Sequence, residues 1–227
     1  MLGLKPLRLT LKMILNMPDL TPQKIALLLM AAGSSSRLGQ PKQLVEITEI
    51  QKLPQSLLRR QVTLMNNVCL SHNAKAFCVL GFQREKLTEH LVSFPAAQQL
   101  TLIDNANWSQ GLSGSIAKGV SEFGSDISAV LIFLVDQWQL TAENLITLIS
   151  NWQQQPENIH IASDGNSTSP PVIFPRAFFK ELMELAGDYG AKKVIKNNRQ
   201  QVMLTEMPSA FADLDTPEQL KDLNKVR

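Results

Sequence analysis

Hydrophobic positions along the chain fall into two patterns. Continuous apolar runs occupy Lys24 to Ala32 (KIALLLMAA) and Ala129 to Val135 (AVLIFLV). They are too short for most free-standing helices and suit strands buried on both faces of a parallel sheet. Weaker strand signals lie at Ala76 to Leu80, Leu100 to Ile103, Ile159 to Ala162, Val172 to Phe174 and Val202 to Thr205. Between them apolar residues recur at helical spacing: Leu58, Val62 and Met65, then Ile116, Val120 and Phe123, then Leu145, Ile149 and Trp152, then Phe178, Leu182 and Leu185. Strand and helix therefore alternate, which predicts a three-layer α/β domain with a mostly parallel central sheet and right-handed crossovers. Ligands in such a domain sit beyond the carboxyl ends of the strands. The polar, proline-terminated stretch Ser163 to Pro171 (SDGNSTSPP) reads as a loop, where the doubly wound half gives way to a more irregular portion.

The first twenty residues begin basic and weakly apolar, but Lys5, Arg8 and Lys12 break every run. Neither a secretory core of 7–15 apolar residues nor a membrane span fits them. We expect a poorly ordered extension over residues 1–20, with Met17 as an alternative start, and a single domain over 21–227. Composition agrees with a globular chain: 227 residues, 44% hydrophobic, 22 Lys plus Arg against 20 Asp plus Glu, net charge +2. A chain of this length buries roughly 70–75% of its unfolded surface and needs no staple. The near-neutral balance, without a block of like charges, argues against nucleic acid or a membrane surface as partner and for small-molecule chemistry. The two cysteines, Cys69 and Cys78, lie in apolar stretches without CxxC spacing, as expected of buried thiols in the reducing cytoplasm. His72, His90 and His160 stand apart and form no metal-ligand spacing.

The first strand runs into AAGSSSRLGQPKQL, Ala31 to Leu44. Gly33 and Gly39 permit positive φ and close backbone approach, so the N–H groups of this turn can converge on phosphate oxygens while Arg37 and Lys42 supply charge. Neither GxxxxGK[ST] nor GxGxxG is present, which removes the main support for ordinary kinases and Rossmann dehydrogenases. The competing explanation is plain turn chemistry, since any strand-to-helix turn can carry Gly, Ser and Arg.

The string LLMAAGSSSRLGQPKQL, Leu28 to Leu44, resembles the LAAGxSxRMGxxKxL signature of the small-molecule nucleotidyltransferases, most closely their molybdenum cofactor cytidylyltransferase-like branch. NANWSQGLSGSIAKG (Asn105 to Gly119), LIFLVDQ (Leu131 to Gln137), GDYGAKKVI (Gly187 to Ile195) and DLDTPEQL (Asp213 to Leu220) resemble further segments of that branch, in its order. The resemblance implies a three-layer, Rossmann-like nucleotidyltransferase fold. It also implies a nucleotide site formed by Ala31, Ala32, Gly33, Ser34, Ser35, Ser36, Arg37, Gly39, Lys42, Ser113 and Ser115, and an acceptor site near Gly187, Asp188 and Gly190. Its Ala-Ala-Gly at residues 31–33 is associated with pyrimidine nucleotides, which points to CTP. Departures cluster elsewhere: Trp138 stands where a proline usually follows Asp-Gln, Tyr189 interrupts the GDxGAR segment, Lys192 replaces its arginine, and Glu46 to Leu53 lacks the usual glycines.

Asp136 closes the buried strand, so its carboxylate meets the end of the sheet that presents the glycine-rich loop. A carboxylate beside a triphosphate needs a cation between them, and Mg²⁺ takes one or two carboxylates plus phosphate oxygens and water. Asp215 has two readings. In Asp215-Thr216-Pro217-Glu218-Gln219 a capping box explains part of the motif, so Asp215 can be a helix-start residue. The resemblance instead places it on the metal with Asp136, and Asp213, two residues earlier, is the substitute ligand. Ser113 and Ser115 open a helix whose N–H groups suit either a nucleotide or a cap, Asp188 suits a cap equally, and Trp108 reads as a packing residue. The expectation is a Mg²⁺-dependent nucleotidyltransferase with Arg37, Lys42 and Asp136 as catalytic residues and Asp136 and Asp215 on the metal. It would transfer CMP from CTP to a phosphorylated acceptor, with molybdopterin the leading choice. The alternatives are a sugar phosphate or another small phosphorylated acceptor, or a nucleotide-binding regulator without turnover.

Overall fold

The structure, a computed structural model, describes residues 23–47 and 54–220. The expected extension with Met17, and most of the glycine-poor stretch before Leu53, lie outside the described residues. In chain order the elements are β1 (Lys24–Ala31), β2 (Glu46–Ile47), β3 (Gln55–Ser56), α1 (Leu57–Ser71), β4 (Ala74–Leu80), α2 (Arg84–Val92) and β5 (Leu100–Asp104). There follow α3 (Leu112–Ser121), β6 (Ile127–Leu134), α4 (Ala142–Gln154), β7 (Ile159–Ser163), β8 (Thr168–Pro175), α5 (Phe179–Met183), α6 (Lys192–Asn197) and β9 (Val202–Glu206).

Seven strands form one sheet in the order β5-β4-β1-β6-β8-β7-β9. Every neighbouring pair is parallel except the two made by β8, which runs against both β6 and β7. The apolar runs become the central strands because both their faces are covered. Alternate residues of β1 divide between two cores: Ile25, Leu27 and Leu29 pack with α1 and α4, and Ala26, Leu28 and Met30 with α3, α5 and α6. The second core includes Ile116, Val120, Leu182 and Val194. Gly119 lets α3 lie close on β1, since a Cβ there would fall 2.8 Å from Leu28 Cδ2. Helix starts follow local chemistry. Ser56 Oγ accepts the Arg59 N–H, and Thr141 and Asn144 form a reciprocal capping box on α4.

Two features depart from the sequence reading. The stretch Ser163 to Pro171 is mostly strand: only a tight turn separates β7 from β8, with Asp164 Oδ1 accepting the N–H groups of Asn166 and Ser167 at 2.9 and 2.8 Å. Pro170 and Pro171 fit inside a central strand because the β7–β8 register shifts beside them, leaving the prolines at a bulge. Helix α2 was not anticipated, as its short polar sequence buries only Leu87 and Leu91.

Candidate active site

The carboxyl ends of β1 and β6 lie side by side, with Met30 paired to Leu134. The two turns that leave these ends build the site. After β1 the chain passes Ser35, a non-glycine residue at φ 55°, makes one helical turn at Ser36–Leu38, and reverses through Gly39 at φ 73°. Leu38 is buried and anchors that turn. Ser35 Oγ accepts the Lys42 N–H at 3.2 Å, which ties the returning chain to the loop. Gln43, 1% exposed, donates from Nε2 to the carbonyls of Ala31 (2.8 Å) and Gly33 (2.9 Å).

The turn after β6 is held by Gln137. Its Oε1 accepts the Leu134 N–H at 3.0 Å, and its Nε2 donates to the carbonyls of Pro170 and of Ala210, the latter at 2.7 Å. Gln137 also forms an antiparallel bridge with Asp213, and the Leu214 N–H donates to Asp136 O at 3.1 Å. These contacts lay the segment 213–215 beside Asp136, with Leu214 between the two aspartates fully buried.

Lys42 closes the arrangement. Its Nζ donates to Asp136 Oδ2 at 2.6 Å and to Asp215 Oδ1 at 2.7 Å, and Arg37 lies 3.9 Å from Asp215 Oδ2. Burial acts to lower the Lys42 pKa, but the charges and hydrogen bonds of Asp136 and Asp215 outweigh it and hold the ammonium charged. Asp213 Oδ1 is buried with no such partner among the described residues. Burial first, then the charges of Asp136 and Asp215, push its carboxyl up to about 6. The helix-start reading of Asp215 is separable here: Thr216 Oγ1 and Gln219 Oε1 make the capping box by themselves, while the Asp215 carboxylate faces Lys42.

A cavity of about 490 Å³ opens over these groups, walled by Ala31 through Arg37, Lys42, Asp136 and Asp215 on one side and by Trp108 through Leu112, Ser115 and Asp188 on the other. Several expected residues stand back from it. Gly39, Ser113, Gly187 and Gly190 do not line the cavity. The buried Ser113 donates its N–H to Gly187 O and its hydroxyl to Gly190 O, both at 3.1 Å, and Asp188 Oδ1 accepts the Leu112 N–H at 3.1 Å. The 187–190 segment is thus a cap for α3, and it occupies N–H groups at that helix start which could otherwise meet a phosphate. Ser115 does line the cavity, its hydroxyl accepting from Asn105 Nδ2 at 2.9 Å. Trp108 packs edge-on against Phe82 (centroids 5.4 Å apart) and also forms wall. Trp138, which stands where a proline usually follows Asp-Gln, packs half-buried against the core and is absent from the lining. Gln43 and Gln137 escaped sequence reading; the only signal was an amide placed next to Lys42 and next to Asp136.

The sequence matches the MobA-like NTP transferase domain over residues 27–202. The chain belongs to this family. Relatives include the purine catabolism protein PucB of Bacillus subtilis (strain 168), 25% identical over 195 residues that span 84% of this chain and 91% of PucB. The molybdenum cofactor guanylyltransferase of Shewanella sediminis (strain HAW-EB3) is 21% identical over 169 residues, 65% of this chain and 86% of that one. Among solved structures, Rv0371C of Mycobacterium tuberculosis in complex with manganese matches with a TM-score of 0.66 at 18% identity, covering 90% of this chain and all of that one. Sheet order and family agree on a Rossmann-like nucleotidyltransferase fold. No cluster of three or more His, Cys, Asp or Glu able to hold a metal occurs among the described residues, and none of their helices is long and apolar enough to cross a membrane.

Proposed function

We propose that this MobA-like protein is a Mg²⁺-dependent cytidylyltransferase of the cytoplasm that moves CMP from CTP to a phosphorylated acceptor of the molybdopterin class. The observation that carries this reading is the convergence of Lys42, Asp136 and Asp215 beneath the Ala31–Arg37 loop in one cavity. An acceptor phosphate oxygen attacks the α-phosphorus of CTP; the new P–O bond forms as the bond to the β-phosphate breaks, and pyrophosphate leaves with the electron pair. A phosphate dianion needs no general base at neutral pH, so positioning and charge neutralisation supply the rate. Arg37 and Lys42 offset charge on the triphosphate and the departing pyrophosphate.

The cavity lining supports a divalent cation. Its charged side chains are Arg37 and Lys42 against Asp136, Asp188 and Asp215, too little positive charge for a triphosphate. Asp136 Oδ1 is buried without a partner, and the other Asp136 oxygen converges with Asp215 on a single ammonium. Two carboxylates, with no larger His, Cys, Asp or Glu cluster among the described residues, suit Mg²⁺, which completes its shell with phosphate oxygens and water. Asp136 and Asp215 would hold it, and when bound it neutralises the triphosphate and orients it. The manganese bound by the mycobacterial relative supports a divalent ion. Cytosine preference rests on Ala31-Ala32-Gly33, with Ala32 and Gly33 both lining the cavity. Asp188, which lines the cavity with its Oδ1 accepting the Leu112 N–H, would face the acceptor.

Pyrophosphate release with each of the four NTPs, with molybdopterin or a sugar phosphate as acceptor, in Mg²⁺ and in chelator, tests the reading. Release with CTP, molybdopterin and metal together is the expected outcome. Release with GTP instead, or with the sugar phosphate alone, replaces the base or the acceptor. Tight CTP binding without release under any condition refutes turnover.

A further inference from the structure

We propose that Gln43 is a positioning residue of the phosphate-binding loop, fixing the two carbonyls whose peptides aim the Ala32 and Ser34 N–H groups at a triphosphate. The proposal rests on the nucleotide reading above and assigns the part of that site which recognises phosphate.

Gln43 follows Lys42 in the single helical turn Lys42–Leu44. Lys42 reaches the aspartates, and Gln43 reaches back under the loop to Ala31 O and Gly33 O. Both hydrogens of its amide nitrogen are thereby engaged with backbone. In a trans peptide the N–H of the next residue points opposite to the carbonyl. Holding Ala31 O and Gly33 O therefore turns the N–H groups of Ala32 and Ser34 away from Gln43. Ala32 and Ser34 both line the cavity, and the Ser34 N–H has no acceptor among the described residues. Between the two held carbonyls the Ala32 carbonyl accepts the Phe82 N–H at 3.0 Å, whereas Gly33 is exposed and a Cβ there would meet no atom within 4 Å.

The other end of the side chain separates a loop role from a core role. Gln43 Oε1 is buried with no hydrogen-bond donor. An acceptor left unpaired in the interior costs stability, and an apolar side chain of similar size would avoid that cost. Packing alone does not explain a glutamine at this place; the two carbonyls do.

The test is calorimetric binding of inorganic tripolyphosphate and of CTP, each with Mg²⁺, to the full chain carrying Gln43→Leu or Gln43→Met. Both variants are expected to lose tenfold or more in affinity for both ligands, because both present a triphosphate chain to the loop, while melting within a few degrees of wild type. In the unmutated protein the Ala32 and Ser34 amide proton resonances should move downfield on adding tripolyphosphate, a readout that requires no variant to fold. A folded variant that binds tripolyphosphate as tightly as wild type overturns the proposal, as do unmoved Ala32 and Ser34 resonances while the ligand binds. If wild type and Lys42→Met alike bind neither ligand, the nucleotide reading itself fails and takes this proposal with it.

Discussion

Lys42 keeps only 13% of its side chain exposed, unusual for a lysine in a glycine-rich loop. Its neighbours explain why: two carboxylates within hydrogen-bond reach replace the water it loses. Lys42→Ala is therefore expected to lower kcat/KM for the nucleotide by two orders of magnitude or more, as for removal of a charge-stabilising group. It should also cost about 1–3 kcal/mol of stability, because Asp136 would be left partly buried without its cation. Steady-state kinetics paired with urea denaturation reads both; unchanged kcat/KM would take Lys42 out of the site. Cys69 is the contrasting case, a half-buried thiol with its pKa pushed up to about 11 by burial. At pH 8 its thiolate fraction is roughly two orders of magnitude below that of a free cysteine, and the fraction rises about tenfold per pH unit until pH nears 11. Iodoacetamide labelling of native protein should follow that slope, and rapid labelling at pH 7 would contradict the buried position. Residue type and spacing were enough to single out Lys42 and Asp136. Asp215 stayed ambiguous because a capping box and a ligand need the same letters. Gln43 was invisible, since an amide's role depends on which carbonyls the folded loop brings to it.

At the scale of elements, the cavity depends on how α3 is seated. Gly111, just before it, has φ 104°, and a Cβ there would lie 2.6 Å from Gly187 O and 2.9 Å from Asp188 Cα. Gly111→Ala should cost about 1–3 kcal/mol from the backbone conformation, plus the displacement of the 187–190 cap. Thermal melts would register the loss, and a melting point equal to wild type would refute the docking. Gln137→Leu removes three bonds that hold the Asp136 turn and should destabilise by about 3 kcal/mol, at roughly 1 kcal/mol per bond. Chemical denaturation checks this; a loss below 1 kcal/mol would show that the turn is held by packing alone. Periodicity exposed β1, β6, α1, α3 and α4 because each buries a wide apolar stripe. It missed α2, which presents only Leu87 and Leu91 to the core, and it read the start of β8 as loop because bulged prolines in a central strand look like a break.

For the whole molecule, the sheet order brings the loop after β1 and the turn after β6 together at one edge, as the alternating pattern implied. What the pattern did not contain was the return of the chain after β9. The bridge from Asp213 to Gln137 is the contact that delivers Asp215 across 78 intervening positions to Asp136, and no local signal encodes such a pairing. The central claim is that these aspartates jointly hold the cation against the triphosphate. A Mg²⁺ titration of CTP- and acceptor-dependent pyrophosphate release, for wild type, Asp136→Asn and Asp215→Asn with thermal melts as folding control, tests it most directly. Either folded variant is expected to lose turnover at the Mg²⁺ concentration that saturates wild type, with partial recovery at higher Mg²⁺. An Asp215→Asn curve that superimposes on wild type would contradict the two-carboxylate site.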